Sequence, residues 1–186
     1  MGGGRTGALR GALLLIAVTA WLGVPVALAA SRQELQKDAS RALANLTAQN
    51  SAAKLLKEKA RAILVFPNIV KAGFMFGGQL GEGVLYKNGK VAGYYNSVAG
   101  SYGFQAGLQV YGYALFFMND AALAYLDRSD GWEVGVGPSI VVVDTGMGKS
   151  LTSTTITQDV YAFIFDQRGL MGGVGIQGSK ISRISK

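Results

Sequence analysis

Between Ala60 and Leu85 the chain reads ARAILVFPNIVKAGFMFGGQLGEGVL, and this stretch restricts the possible folds more than any other. Pro67 has no N–H to give to a helix and pushes Phe66 toward extended angles, so a helix arriving through Ala62 is expected to end there. Ile69 to Phe76 then reads as extended chain, and Gly77, Gly78, Gly81 and Gly83 follow closely. They permit turns, bulges or backbone approaches that a side chain would block. The junction separates a helical N-terminal part from a glycine-rich remainder that should be mostly strand from about residue 69.

Upstream, residues 1–29 carry Arg5 and Arg10, then the apolar run ALLLIAVTAWLGV over Ala12–Val24, then Pro25 and Ala27-Leu28-Ala29. This is the pattern of a secretory signal peptide, and its apolar run is shorter than the roughly 18–20 residues that span a bilayer. The expected location is periplasmic or otherwise extracytoplasmic, with residues 30–186 as one domain. Ser31 and Glu34 have the spacing of a capping box, and Leu35, Ala39, Ala42, Leu43 and Leu46 recur at helical spacing, so a first helix is expected from about Arg32. Asn50 or Ser51 is positioned to cap a second, with helices over about 32–62. Its apolar stripe is Ala52, Leu55, Leu56 and Ile63; beside it runs a basic stripe, Lys54, Lys57 and Arg61.

Downstream, apolar runs at Val84–Tyr86 and Val91–Tyr95 flank Lys87-Asn88-Gly89-Lys90, a strong hairpin signal. Over Ser101–Tyr113, Tyr102, Phe104, Ala106, Leu108 and Val110 alternate with Gly103, Gln105, Gly107, Gln109 and Tyr111. The first set is expected to face the core; the second reads as a solvated face or the lining of a polar groove. Asn119 or Asp120 should cap a short helix over Ala121–Leu126. Further strands are expected at Trp132–Gly137 and Ser139–Val143, then a closing hairpin of Val160–Phe165 and Leu170–Ile184 turning at Gln167-Arg168-Gly169, all in an antiparallel sheet. Gly146–Ser150 has the look of a phosphate loop, but Val143 stands where its first glycine belongs and a Thr-rich, strand-like segment follows, so a turn is expected. Asp127, Asp130 and Glu133 lack the spacing of a calcium loop.

The chain has no His and no Cys, which removes Ser/His triads, Cys nucleophiles, imidazole acid–base catalysis and the usual zinc sites. No cofactor is implied and no enzyme is expected. Gly 27 with Pro 3 suits short twisted strands. Arg5 and Arg10 are two of the 18 cations, leaving 16 against 11 acids, or +5, after residues 1–29. Near an anionic membrane each cation contributes about 1 kcal/mol, so Lys54, Lys57 and Arg61 supply about 3, short of the roughly 4 kcal/mol that even millimolar binding needs.

Three blocks, ARAILVFPNIVKAGFMFGGQLGEGVL, GFQAGLQVYGYALFFMN and GWEVGVGPSIVVVDTGMGKSLTSTTITQDVYAFIFDQRGLMGGVGIQGSKISRI, resemble the SYLF domain family, its exported bacterial branch most nearly. The resemblance implies a lipid-binding module; eukaryotic members are associated with phosphoinositides and some with actin. For an exported chain it implies anionic phospholipid or another envelope lipid such as lipopolysaccharide, with no actin and no nucleic acid as partner. The basic residues it points to are Lys54, Lys57, Arg61 and Lys71, with Gly77 and Gly78 shaping the site. The alternative is a structural or protein-interaction module with an envelope protein partner, whose apolar interface would resist salt where headgroup attraction would not. The expected fold is α+β: an antiparallel, strongly curved sheet or small barrel of Gly-rich strands with two N-terminal helices packed against it.

Overall fold

The structure is a computed structural model describing residues 30–128, 131–133, 137–143, 151–152 and 154–186. Helix α1, Arg32–Gln49, starts with the capping box: the Ser31 hydroxyl accepts from Glu34 N at 3.2 Å and the Glu34 carboxylate accepts from Ser31 N at 3.0 Å. Those two bonds hold the exposed Glu34 carboxyl below its ordinary pKa. Asn50 ends α1 in an extended conformation and caps α2, Ser51–Lys59, accepting from Ala53 N at 3.0 Å.

Helix α2 therefore ends at Lys59, before the expected limit near residue 62, and strand β1 begins at Ala62, ahead of the proline. The reason is tertiary. Ile63 and Val65 pack on the helices while Ala62, Leu64 and Phe66 enter a second core, so an apolar run with both faces covered is used as strand. Pro67 lies inside β1 at a register shift between Phe66 and Ile69, where its missing N–H interrupts the ladder least.

Strand β1, Ala62–Lys87, pairs with β2, Lys90–Phe117, through the Asn88-Gly89 turn, whose φ values of 50° and 74° are those of a tight hairpin. Helix α3, Asp120–Leu126, follows, capped by Asn119, one of the two candidates. Two short strands, β3 (Trp132–Glu133) and β4 (Ile140–Val142), then lead to β5, Val160–Ile184, which lies antiparallel along the other side of β2. Pairing of β3 with β5 is antiparallel and of β4 with β5 parallel, so the sheet is mixed rather than wholly antiparallel. Residues 143–159 between β4 and β5 are long enough for the chain to return in the same direction.

The expected closing hairpin is one continuous strand. Asp166 and Gly169 have φ of 51° and 85°, which bends β5 where its register against β2 slips between Val110 and Gly112, but β2 alongside holds it as a single strand. The face assignment over Ser101–Tyr113 is also reversed: Tyr102, Ala106 and Leu108 are exposed and Tyr111 is buried. Alternation identifies residues that share a face; the helices, which cover the other end of the ribbon, decide which face is protected.

Strands of 26, 28 and 25 residues would each run on the order of 80 Å if straight. Here the three-stranded ribbon doubles back. A Cβ placed on Gly83 would lie 2.8 Å from Val65 O and 2.6 Å from the Phe66 ring, and one on Gly81 would lie 3.0 Å from Asn68 O, so the two ends of β1 are pressed together. The turn-back falls at Gly73–Gly77, with Met75 at φ 61°. The result is a curled half-barrel with two cores. One lies between the outer face and α1/α2 and includes Leu35, Leu43, Leu56, Phe116 and Phe163; the other lies inside the fold and includes Phe66, Ile69, Tyr95, Phe117 and Trp132. Helix α3 closes the inner one through Leu123 and Leu126, beside the Phe117–Trp132 ring pair at 5.9 Å.

The segment 1–29 expected to be a signal peptide, the turn expected at Gly146–Ser150, Asp130 and the middle of the expected Trp132–Gly137 strand lie outside the described residues.

Candidate functional site

Because the ribbon is folded in half, the molecule has a closed end, where α2 meets the Asn88-Gly89 hairpin, and a bend at the opposite end. Lys57 and Arg61 line a groove of about 470 Å³ at the closed end together with Ser40, Tyr86, Asn88 and Gly89. Lys54 lies one turn earlier on α2. Arg61 is not on the helix: it occupies the link to β1, its N–H donating to Phe117 O at 2.8 Å, so the expected stripe is made by a helix and a junction.

The fold adds three cations to these. Lys59 ends α2, and Lys87 and Lys90 flank the hairpin turn that abuts the groove. All six are exposed, none forms an ion pair among the described residues, and Glu58 is the one acid in the groove lining. Sequence reasoning recognised the Lys-Asn-Gly-Lys turn but had no signal for its position, which follows from the folding back of β1.

Lys71 does not join this group. It pairs in register with Gln109 toward the bend, half-buried on the same face as Ile69. Gly77 and Gly78 are also at the bend. A Cβ added at Gly73 would lie 2.5 Å from Gly77 Cα, so the strand turns tightly between these two glycines; a Cβ at Gly78 would meet only Ala99 O, at 4.0 Å. The six residues expected to form one site thus divide between opposite ends of the fold.

Apolar surface is concentrated at the bend. Nine of the twelve large hydrophobic residues exposed among the described ones lie on it or beside it. Phe74 and Phe76 are 76% and 70% exposed, and Tyr102 meets Phe76 at 5.0 Å between ring centroids. Leu108 and Leu170 adjoin in register on one side, Leu80 and Val98 on the other. Isolated exposed apolar residues are ordinary, but a contiguous group of this kind marks an interaction surface.

The polar groups inside the fold are already engaged. Tyr111 donates to Gln79 Oε1 at 2.6 Å, and burial pushes its hydroxyl up to about 12. Tyr95 donates to Asp127 Oδ1 at 2.5 Å, an oxygen that also receives Arg183 at 3.1 Å; burial first and this bond second raise the Tyr95 pKa. Asp127 is therefore committed to the fold. Among the described residues no group of three acidic side chains is placed to hold a metal, and no helix is long and apolar enough to cross a membrane.

A folded three-stranded ribbon, helices on one outer face, a cationic end and an apolar bend together define a β-rich module that presents surfaces. Residues 98–186 match the family described as Ysc84, Las17-binding protein actin regulator, and the match agrees over that stretch with the resemblance to the SYLF family. The match takes in most of β2 and everything through β5, including Tyr102, Leu108 and Leu170, and stops short of the α2–hairpin cluster. No curated protein matches the chain.

Proposed function

We propose that the protein is a non-enzymatic module that binds an anionic lipid surface of the bacterial envelope after export and removal of residues 1–29. The observation that carries this reading is the cation cluster at the closed end. Three cations supply about 3 kcal/mol near an anionic bilayer, below the millimolar threshold; all six reaching one bilayer would supply about 6, enough for a Kd of tens of micromolar. Of the additional three, Lys59 is the last residue of α2, and Lys87 and Lys90 are brought near it by the folding back of the ribbon.

The test is co-sedimentation with phosphatidylglycerol-containing and pure phosphatidylcholine vesicles at low and high salt. The protein is expressed with its own leader in an exporting bacterium and recovered after processing, with its N-terminus sequenced; Ala30 is the expected first residue. Binding should require the anionic lipid and fade with salt. Replacing Lys54, Lys57 and Arg61 by Gln should weaken it about 100-fold, and Lys87→Gln with Lys90→Gln about 30-fold. A hairpin variant that binds as well as the parent would rule out this cluster.

A second reading draws on a different observation: β1 is the margin of the sheet and pairs only with β2 among the described strands. An envelope protein adding a strand there would bind through main-chain bonds, insensitive to salt. The family's printed description, Las17 binding and actin regulation, also points to protein partners, but export would separate this chain from actin.

A further inference from the structure

We infer that the bend is a second, membrane-inserting surface, in which Phe74, Phe76 and Tyr102 enter the interfacial zone of an anionic bilayer while Arg168 and Lys180 meet its headgroups. This rests on the lipid-binding reading above and assigns a surface that the cation cluster does not include. The argument begins with composition. Side chains crowning the bend are aromatic or long aliphatic, the types that partition into the boundary between headgroups and acyl chains.

Charge then selects the occupant. In register, Arg168 continues the row Val70–Val110 and Lys180 the row Leu80–Val98, so a cation follows an apolar row on each side of the bend, with Glu133 of β3 beyond Lys180. Glu82, the nearest acid along β1, is already held by Lys186 at 2.7 Å. An apolar crest with cations at its margins complements an anionic bilayer, whose headgroup charge lies just above its apolar layer. A second copy of the chain would bring the same cations against one another around the patch, and an uncharged apolar ligand would leave them unused.

The backbone suits the role as well. Met75 at φ 61° and the Gly73–Gly77 approach make a narrow crest that holds Phe74 and Phe76 outward while their neighbours on β2 stay paired. No side chain need leave a core for the crest to insert.

The decisive experiment places a probe on the crest. Phe74→Trp is made in the processed protein, whose native Trp132 is buried in the inner core. With phosphatidylglycerol vesicles the emission of the added indole should shift to the blue and be quenched by lipids carrying a nitroxide on the acyl chain, while the parent protein's Trp132 emission stays unchanged. Beside it, Phe74→Thr, Phe76→Thr and Leu170→Thr together keep strand propensity and remove only exposed surface. That variant should keep the low-salt binding supplied by the cation cluster and lose, by at least about tenfold, the binding that survives high salt. If the Phe74→Trp protein sediments with vesicles while its added indole stays unshifted and unquenched, the insertion is overturned and the cationic reading stands. If the parent stays in the supernatant with every vesicle, both readings fall together.

Discussion

The tightest constraints in this molecule are at single glycines where the folded ribbon closes on itself. Gly83 is the clearest case, because the atoms its Cβ would meet include Val65 O, which cannot rotate away. Gly83→Ala should therefore cost about 2 kcal/mol, the usual range for overpacking a closed site, despite the small gain an alanine brings by restricting the unfolded chain. Urea unfolding at neutral pH measures it; Gly78→Ala, where nothing lies closer than 4.0 Å, is the control and should change little. Four glycines in this stretch were visible in the sequence as permissive positions. Their division into one that bends the strand, two that let its ends touch and one in open space depends on contacts between residues more than ten apart, to which local spacing is blind.

At the level of elements, the local signals were faithful and the lengths were not. Ser31 with Glu34 caps α1 as expected, and of the two candidates read for each later helix, Asn50 rather than Ser51 and Asn119 rather than Asp120 is the cap, because capping depends on a few adjacent residues. Strand β1, by contrast, runs through Pro67 and five glycines, residues that ordinarily weaken or end strands, because β2 pairs along nearly all of it and the bulges absorb the irregularities. Helix α3 shows how a cap can also join elements. Asn119 accepts from Ala122 N at 2.8 Å and donates to Asp159 Oδ1 at 2.7 Å, just before β5. That donation first, and the Ser139 N–H second, hold the Asp159 carboxyl below its ordinary value of 3.8. A carboxyl depressed in the folded state stabilises fully above the unfolded pKa, and the contribution is lost as the pH falls through the folded one. Asn119→Ala should cost about 1 kcal/mol at pH 7 from the lost cap alone, and its deficit relative to the parent should narrow as the pH is lowered below 3.8, read from urea midpoints across the acid range.

The whole molecule is polar in the geometric sense. Doubling a ribbon of this length puts the α2–hairpin end and the bend on the order of 30–40 Å apart, facing away from each other. One flat bilayer cannot meet both. If each end binds lipid as proposed, a single molecule joins two membranes, and the parent protein should make phosphatidylglycerol vesicles cluster, seen as a rise in turbidity and in particle size. The Lys87/Lys90 variant and the crest variant should each fail to cluster them, the first also losing affinity at low salt and the second at high salt. This opposition of ends was hidden from a reading along the chain, in which Lys54, Arg61, Lys71 and Gly77 look like neighbours.

Strand β5 has a further consequence, one of time. It is synthesised after every element it pairs with, yet it supplies Tyr161 and Phe163 to the core beneath the helices and Val160, Ala162 and Ile181 to the core inside the fold. Until it arrives, the β1–β2 hairpin can form but both cores are short of a wall and one long edge of β2 is unpaired. A growing chain in that condition offers an open template to its own kind, and pairing partners this far apart in sequence is slow. The same edge that β5 finally occupies thus exposes the unfinished fold to mispairing, and makes the docking of β5 the event that closes both cores.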